Sequence, residues 1–147
     1  TIAATITVPR IIQQGEAIET KDDGKITVRF PDAYTIDIFP KSKLDFIQTL
    51  PSNFVISQEQ GISEYTKTGA TPLSIRSFHL LIQLNSGYIA ITTDKDEKTV
   101  SVNVSSGSAT LAYNDLQYIS NVITIKAGKT FTFDDNTRTA RITSNLQ

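Results

Sequence analysis

Short runs of alternating apolar and polar residues, divided by turn residues, recur along nearly the whole chain. This period of two restricts the chain to strands with one buried and one wet face. In Lys25–Phe30, Ile26, Val28 and Phe30 fall on one side, and Lys25, Thr27 and Arg29 on the other. The same parity groups Ile36 with Ile38, Leu80 with Ile82 and Leu84, Ile89 with Ile91, Val100 with Val102 and Val104, and Ala109 with Leu111 and Tyr113. Ile123 with Ile125 and Phe131 with Phe133 continue the series. Strands are therefore expected near Ile26–Phe30, Tyr34–Phe39, Leu80–Leu84, Tyr88–Thr92, Val100–Val104 and Ala109–Tyr113. An earlier strand at Ile6 and Val8 is expected to end at Pro9.

Asp22-Asp23-Gly24, Asn85-Ser86-Gly87, Asp94-Lys95-Asp96, Ser105-Ser106-Gly107, Ala127-Gly128-Lys129 and Asp134-Asp135-Asn136 read as turns. Pro31-Asp32 and Pro40 end strands, because proline cannot donate to a ladder. Short strands at intervals of about 8–12 residues make an all-β fold, a β-sandwich or a β-roll. At 147 residues the chain fits one domain with a real core. Residues 1–14 read as an N-terminal strand or linker, and 15–147 as a single β domain.

Three segments carry a second message. Ser42 with Asp45 has the form of a helix cap, and Leu44, Ile47 and Leu50 have helical spacing, although Leu44 and Phe46 also alternate. Asn114 to Asn121 could make one helical turn around Leu116 and Ile119. Gln58 to Thr71, rich in Glu, Thr and Gly, reads as a loop or a twisted hairpin.

Composition removes several classes of function. Fourteen basic and fifteen acidic residues are dispersed along the chain with a net charge of −1, so neither nucleic acid nor an anionic membrane finds a concentrated partner surface. No apolar run approaches the roughly 20 residues that span a bilayer, so no direct membrane insertion by this segment is expected. There is no cysteine, hence no disulfide and no thiolate chemistry. The chain also lacks methionine and begins at Thr1, so it is expected to be a fragment of a larger protein.

No motif announces a reaction. His79 is the only histidine, no G-x-S-x-G accompanies it, and a structural or surface role is expected. One histidine without cysteine does not make a zinc site. The carboxylate groups Asp22-Asp23, Asp94-Asp96-Glu97 and Asp134-Asp135 lack the spacing of an EF-hand and sit where hairpins need polar turn residues. No phosphate-binding glycine string occurs. The expectation is a protein that is not an enzyme, with no cofactor and no metal. Asn103-Val104-Ser105 is a formal glycosylation sequon on an outward position of a strand.

Three apolar residues fall off the core parity: Phe39, opposite Ile36 and Ile38; Leu81, opposite Leu80 and Ile82; and Tyr88, opposite Ile89 and Ile91. They make either a partner surface or the second face of a buried strand. If Asn85-Ser86-Gly87 turns a hairpin, Leu81 and Tyr88 meet across it.

The stretch Gly15–Phe46 resembles the opening of the FecR domain. Gly15-Glu16, Ile18 and Thr20 match its first element, and Gly24, Ile26, Val28, Phe30, Asp32, Ile36, Ile38, Pro40, Ser42 and Leu44 match the two strands and the Pro-x-Ser-x-Leu element that follow. Asp32-Ala33-Tyr34 departs from the family's Asp-Gly-Ser turn. Further on, PLSIRS, SGYIAITTD, TVSVNVSSGSATL and VITIKAGKTF are similar to the family's later strands, so the resemblance covers roughly Gly15 to Phe133. It implies an extracytoplasmic, periplasmic or cell-surface module of the bacterial envelope that works by contact with a protein partner. In that family the module signals across a membrane as an anti-sigma regulator. The alternative is an envelope carbohydrate- or peptidoglycan-binding domain, or a structural spacer of a secreted or surface protein. Aromatic content of 8% without tryptophan makes a thin platform for sugar stacking.

Overall fold

The computed structural model describes residues 2–3, 12–50 and 53–145; the expected strand at Ile6 and Val8 lies outside them. Every regular element described is a strand. They are β1 (Ile2–Ala3), β2 (Ala17–Glu19), β3 (Ile26–Phe30), β4 (Tyr34–Ile38), β5 (Lys43–Leu50) and β6 (Asn53–Lys67), then β7 (Leu73–Ser77), β8 (Leu80–Asp94), β9 (Thr99–Asn114), β10 (Ser120–Lys126), β11 (Lys129–Asp134) and β12 (Thr139–Ser144). All belong to one open sheet in the order β1-β2-β5-β6-β7-β8-β9-β11-β12, with β4 added to β6, β3 to β4, and β10 to β9.

The long strands change partners along their length, and this rolls the sheet. The first half of β6 lies between β5 and parallel β7, and its second half between β4 and β8. Phe30 of β3 thereby reaches Phe46 of β5 and Phe54 of β6, at ring separations of 6.1 and 5.0 Å. Tyr34 meets Phe54 edge-on at 4.7 Å. The core is the concave side, and the residues grouped inward by parity fill it: Ile26, Val28, Ile36, Ile38, Leu80, Ile82, Leu84, Ile89, Ile91, Val100, Val102, Val104, Ala109, Leu111, Phe131 and Phe133 are all buried.

Two expected turns are not turns. Asn85-Ser86-Gly87 lies inside β8 and Ser105-Ser106-Gly107 inside β9, and the two segments face each other, Gly87 opposite Gly107. Each is a bulge, with register shifts at Leu84/Ser86 and Tyr88/Ile89. A bulge switches which parity faces the core. This is why Leu80, Ile82 and Leu84 point inward before it and Ile89 and Ile91 after it. Both glycines have positive φ, 86° and 74°. A Cβ on Gly87 would overlap the Ser106 carbonyl, and one on Gly107 the Ser86 carbonyl.

The ambiguous segments resolve toward strand or turn. Lys43–Leu50 is β5, not a helix. Gln58 to Lys67 belongs to β6 rather than to a loop. Residues 115–119 are a tight connection between β9 and β10 with no helical turn. The β7–β8 turn falls at Phe78 and His79, where Phe78 takes φ 53° without any glycine to mark it. At the departure from the FecR turn, Asp32 itself takes φ 60°, and the Ala33 N–H closes on the Phe30 carbonyl at 3.1 Å.

Buried polar groups pin the roll. Thr20 Oγ1 donates to the Phe39 carbonyl at 2.6 Å and accepts the Ser42 N–H at 2.8 Å. Ser42 Oγ accepts the Ile62 N–H at 3.0 Å, and no Cβ fits at Gly61 because Ser42 occupies that space. Gln58 Nε2 donates to the carbonyls of Gly61 and Ile91, and the Tyr65 hydroxyl donates to Gln58 Oε1 at 2.7 Å. Burial holds the Tyr65 phenol well above its usual range, so it remains a donor.

Candidate protein-contact surface

The three residues that fall off the core parity do not come together: Leu81 and Tyr88 lie on β8, and Phe39 follows the end of β4. Leu81 is 46% exposed, while Phe39 and Tyr88 are half-buried. Because β8 is one strand and no hairpin forms at Asn85-Ser86-Gly87, Leu81 and Tyr88 do not meet. They stand seven positions apart along β8, roughly 23 Å at 3.3 Å per residue. Phe39 follows β4, its N–H donating to the Ile62 carbonyl at 3.0 Å, and Lys25 Nζ sits 5.0 Å above its ring. Tyr88 pairs with Thr66 and Ser106.

Leu81 has other company. It lies level with Ala112 of β9, and Ala112 with Val122 of β10, so the three form an outward apolar row. Val122 is 67% exposed, and beyond it Leu116, Tyr118 and Ile119 project from the β9–β10 connection, Tyr118 at 88%. Large apolar side chains gathered at one end of a sheet are the surface feature that water does not explain.

The connection is built to hold them. Asp115 Oδ1 accepts the N–H groups of Gln117 at 2.9 Å and Ile119 at 3.0 Å, and the Asp115 N–H closes on the Ile119 carbonyl at 3.0 Å. These donors, the Ile119 N–H foremost, hold the Asp115 carboxyl below its ordinary range. Tyr118 is thereby fixed at φ 62°.

Beneath the connection, Arg138 Nη1 donates to the Asn114 carbonyl at 3.2 Å and its Nε to the Asp135 carbonyl at 3.0 Å. Asp135 also lies 2.9 Å from His79 Nδ1. The histidine at the β7–β8 turn thus braces the base of the apolar tip. A cleft of about 470 Å³ opens beside it, lined in part by Tyr113, Asp115, Leu116, Asn121 and Arg138.

The acidic groups serve turns. Asp94 Oδ1 accepts the N–H groups of Asp96 and Glu97, and Asp134 Oδ1 those of Asn136 and Thr137. Among the described residues no three His, Cys, Asp or Glu side chains cluster as a metal site, and no helix is long and apolar enough to cross a membrane. Asn103 points outward as its parity requires and donates to Thr130 Oγ1 at 3.1 Å.

A second polar feature sits on the outer face of β5 and β6. Asp45 and Glu59 lie close enough to hydrogen-bond when one of them is protonated, and Lys43 Nζ lies 3.2 Å from Glu59. Desolvation first, then the Glu59 hydrogen bond and charge, push the Asp45 carboxyl up to about 6. Glu59 moves down, chiefly because it accepts the Asp45 hydrogen bond. Below about pH 6 the pair therefore holds one proton, and Asp45 carries it.

No protein-family model matches the chain, and no curated protein matches it. Solved structures do. Two crystal structures of a putative anti-sigma factor from Parabacteroides distasonis ATCC 8503, at 2.50 and 1.65 Å resolution, superpose with a TM-score of 0.72 over 88% of this chain, at 10% sequence identity. The chain spans 59% of the length of those structures. At this identity the likeness shows a shared fold.

Parity alone selected Leu81 but not its neighbours on the tip. Leu116 and Ile119 had suggested a helical turn, and the row Leu81–Ala112–Val122 becomes visible only once β8, β9 and β10 are in register.

Proposed function

We propose that this chain is a non-enzymatic FecR-like regulatory domain that acts outside the cytoplasm through contact with a protein partner and contributes to the control of a sigma factor. The observation that carries this reading is the fold shared over 88% of the chain with a putative anti-sigma factor. The FecR-like order of motifs from Gly15 to Phe133 supports it. So does the rigid, exposed apolar tip, since a fixed loop of large side chains suits recognition of a folded partner. In this reading Leu81 belongs to the contact surface with Leu116, Tyr118, Ile119 and Val122, and Phe39 and Tyr88 stand apart from it.

The test is transcriptional. Serine at Leu116, Tyr118 and Ile119 together in the genomic copy should alter expression of a set of promoters read by one alternative sigma factor, with the protein present at normal abundance. An unchanged transcript profile with normal abundance would overturn the assignment.

A further inference from the structure

Among the described residues, strands β3, β10 and β12 each pair on one side only. Natural sheets guard such edges with charge, proline or bulges. Arg29 sits within β3 and Arg141 within β12. Strand β10 has no such guard: from Ser120 to Ile125 it carries no charge and no proline, Lys126 comes only at its end, and its ladder to β9 runs without a register shift. Among the described residues it is also the uncovered half of a longer line. β10 and β11 follow one another along the same side of β9, and β12 covers β11 alone, with Ser144 level with Lys129.

The outward row Leu81–Ala112–Val122 runs straight to this open backbone and ends there with its most exposed member. An unpaired row of N–H and C=O groups beside an apolar side chain calls for another strand. The sequence of β10 suits itself in one register.

We propose that β10 is a self-association edge, at which two copies pair antiparallel about a two-fold axis through Val122. Val122 then meets Val122 of the second copy, and the apolar row continues through Ala112 and Leu81 on the other side. Ile123 faces Asn121, and Ser120 faces Thr124. Lys126 comes level with the exposed Tyr118 ring of the second copy, a cation against an aromatic face rather than against another cation. Like charges are opposed nowhere along the strand. This pairing shares Leu81, Tyr118 and Val122 with the contact surface proposed above, but its test reads sedimentation and cross-linking rather than transcription, so the two readings fail separately.

Sedimentation velocity of the full chain across a concentration series should show a monomer–dimer equilibrium. Val122→Lys changes an exposed outward position, which the fold tolerates, and sets two ammonium groups face to face. It should weaken association at least about tenfold while circular dichroism and Tm stay as in the parent. The chain has no cysteine, so Val122→Cys should oxidise to a single covalent dimer, because directly paired positions bring their Cβ atoms to about 5 Å. Thr143→Cys on the guarded strand β12 is the control and should cross-link far more slowly. A wild-type chain that sediments as a monomer throughout overturns the proposal. So does a Val122→Lys variant that still dimerises, or equal cross-linking of the two cysteine variants.

Discussion

Gly87 and Gly107 confront each other across β8 and β9, and each would drive a Cβ into the other strand's backbone. Gly87→Ala should therefore cost on the order of 3 kcal/mol in chemical denaturation, combining left-handed strain with the clash. Gly128 has φ 90° but open space around it, so Gly128→Ala should cost only about 1 kcal/mol; equal losses would mean that the facing backbones can part. Tyr65→Phe leaves Gln58 Oε1 without its buried donor and should cost about 1–2 kcal/mol. The Asp45–Glu59 pair gives a pH signature. Asp45 has its folded pKa raised to about 6, so the stability of its protonated form is fully present below the ordinary 3.8 and is lost as pH rises through about 6. Glu59, shifted down, works in the opposite sense below about 4.5, where it must be protonated. Asp45→Asn keeps the donor to Glu59 without a proton to lose. In Tm measured against pH it should remove the fall between about pH 4 and 7 and raise stability at neutral pH by about 1 kcal/mol, a figure discounted for solvent screening. A wild-type profile flat through that range would contradict the shared proton.

The strands themselves were largely legible, because alternation reports which side chains need the core, and that requirement survives any topology. The connections were less so. A switch of parity flanked by Asn, Ser and Gly is what a hairpin turn produces, and it is also what a bulge in a long strand produces; only the partner strand, with its own Ser-Ser-Gly at the same level, decides between them. The turn at Phe78-His79 has no glycine or proline to mark it, so nothing in the local sequence announces it. The spacing of Leu116 and Ile119 allows one helical turn in the β9–β10 connection, whereas its shape comes from one carboxylate collecting backbone donors. Asp115→Ala should release that shape. The Ile119 amide should exchange faster with deuterium and limited proteolysis should cut near Tyr118, while global Tm changes little. Unchanged exchange there would show that the strand ends, not Asp115, hold the tip.

For the chain taken entire, the all-β fold expected from alternation is the fold found, and two of its polar residues show how the roll closes. Thr20 and Ser42, two of the positions that carry the resemblance, are buried hydrogen-bonding pins between β2, β5 and β6, so part of the pattern encodes how the roll closes. The proposed contact surface has no such signature. Exposed apolar residues resemble core residues in sequence, and only burial separates Val122 from Val102. Val102→Asp should accordingly cost about 4 kcal/mol or more, whereas the charge at Val122 is tolerated; a normal Tm for the Val102 variant would reverse the assignment of faces.

The β8–β9 pair also bears on the order in which the fold assembles. Its ladder begins at Asp94 and Thr99 beside a tight turn and runs outward to Leu81 and Ala112, so every pair after the first closes almost no additional loop. The parallel β6–β7 pair and the β2–β5 pair join segments far apart in the chain, and their closure entropy must be met before any contact repays it. The hairpin should therefore zip first from its turn, slow where the facing bulges require two left-handed glycines at once, and then serve as the template on which β6 docks. Pulse-labelled hydrogen exchange during refolding should protect amides next to the Asp94–Thr99 turn before those of Ile18 and Leu44. Simultaneous protection of both sets would refute that sequence of events.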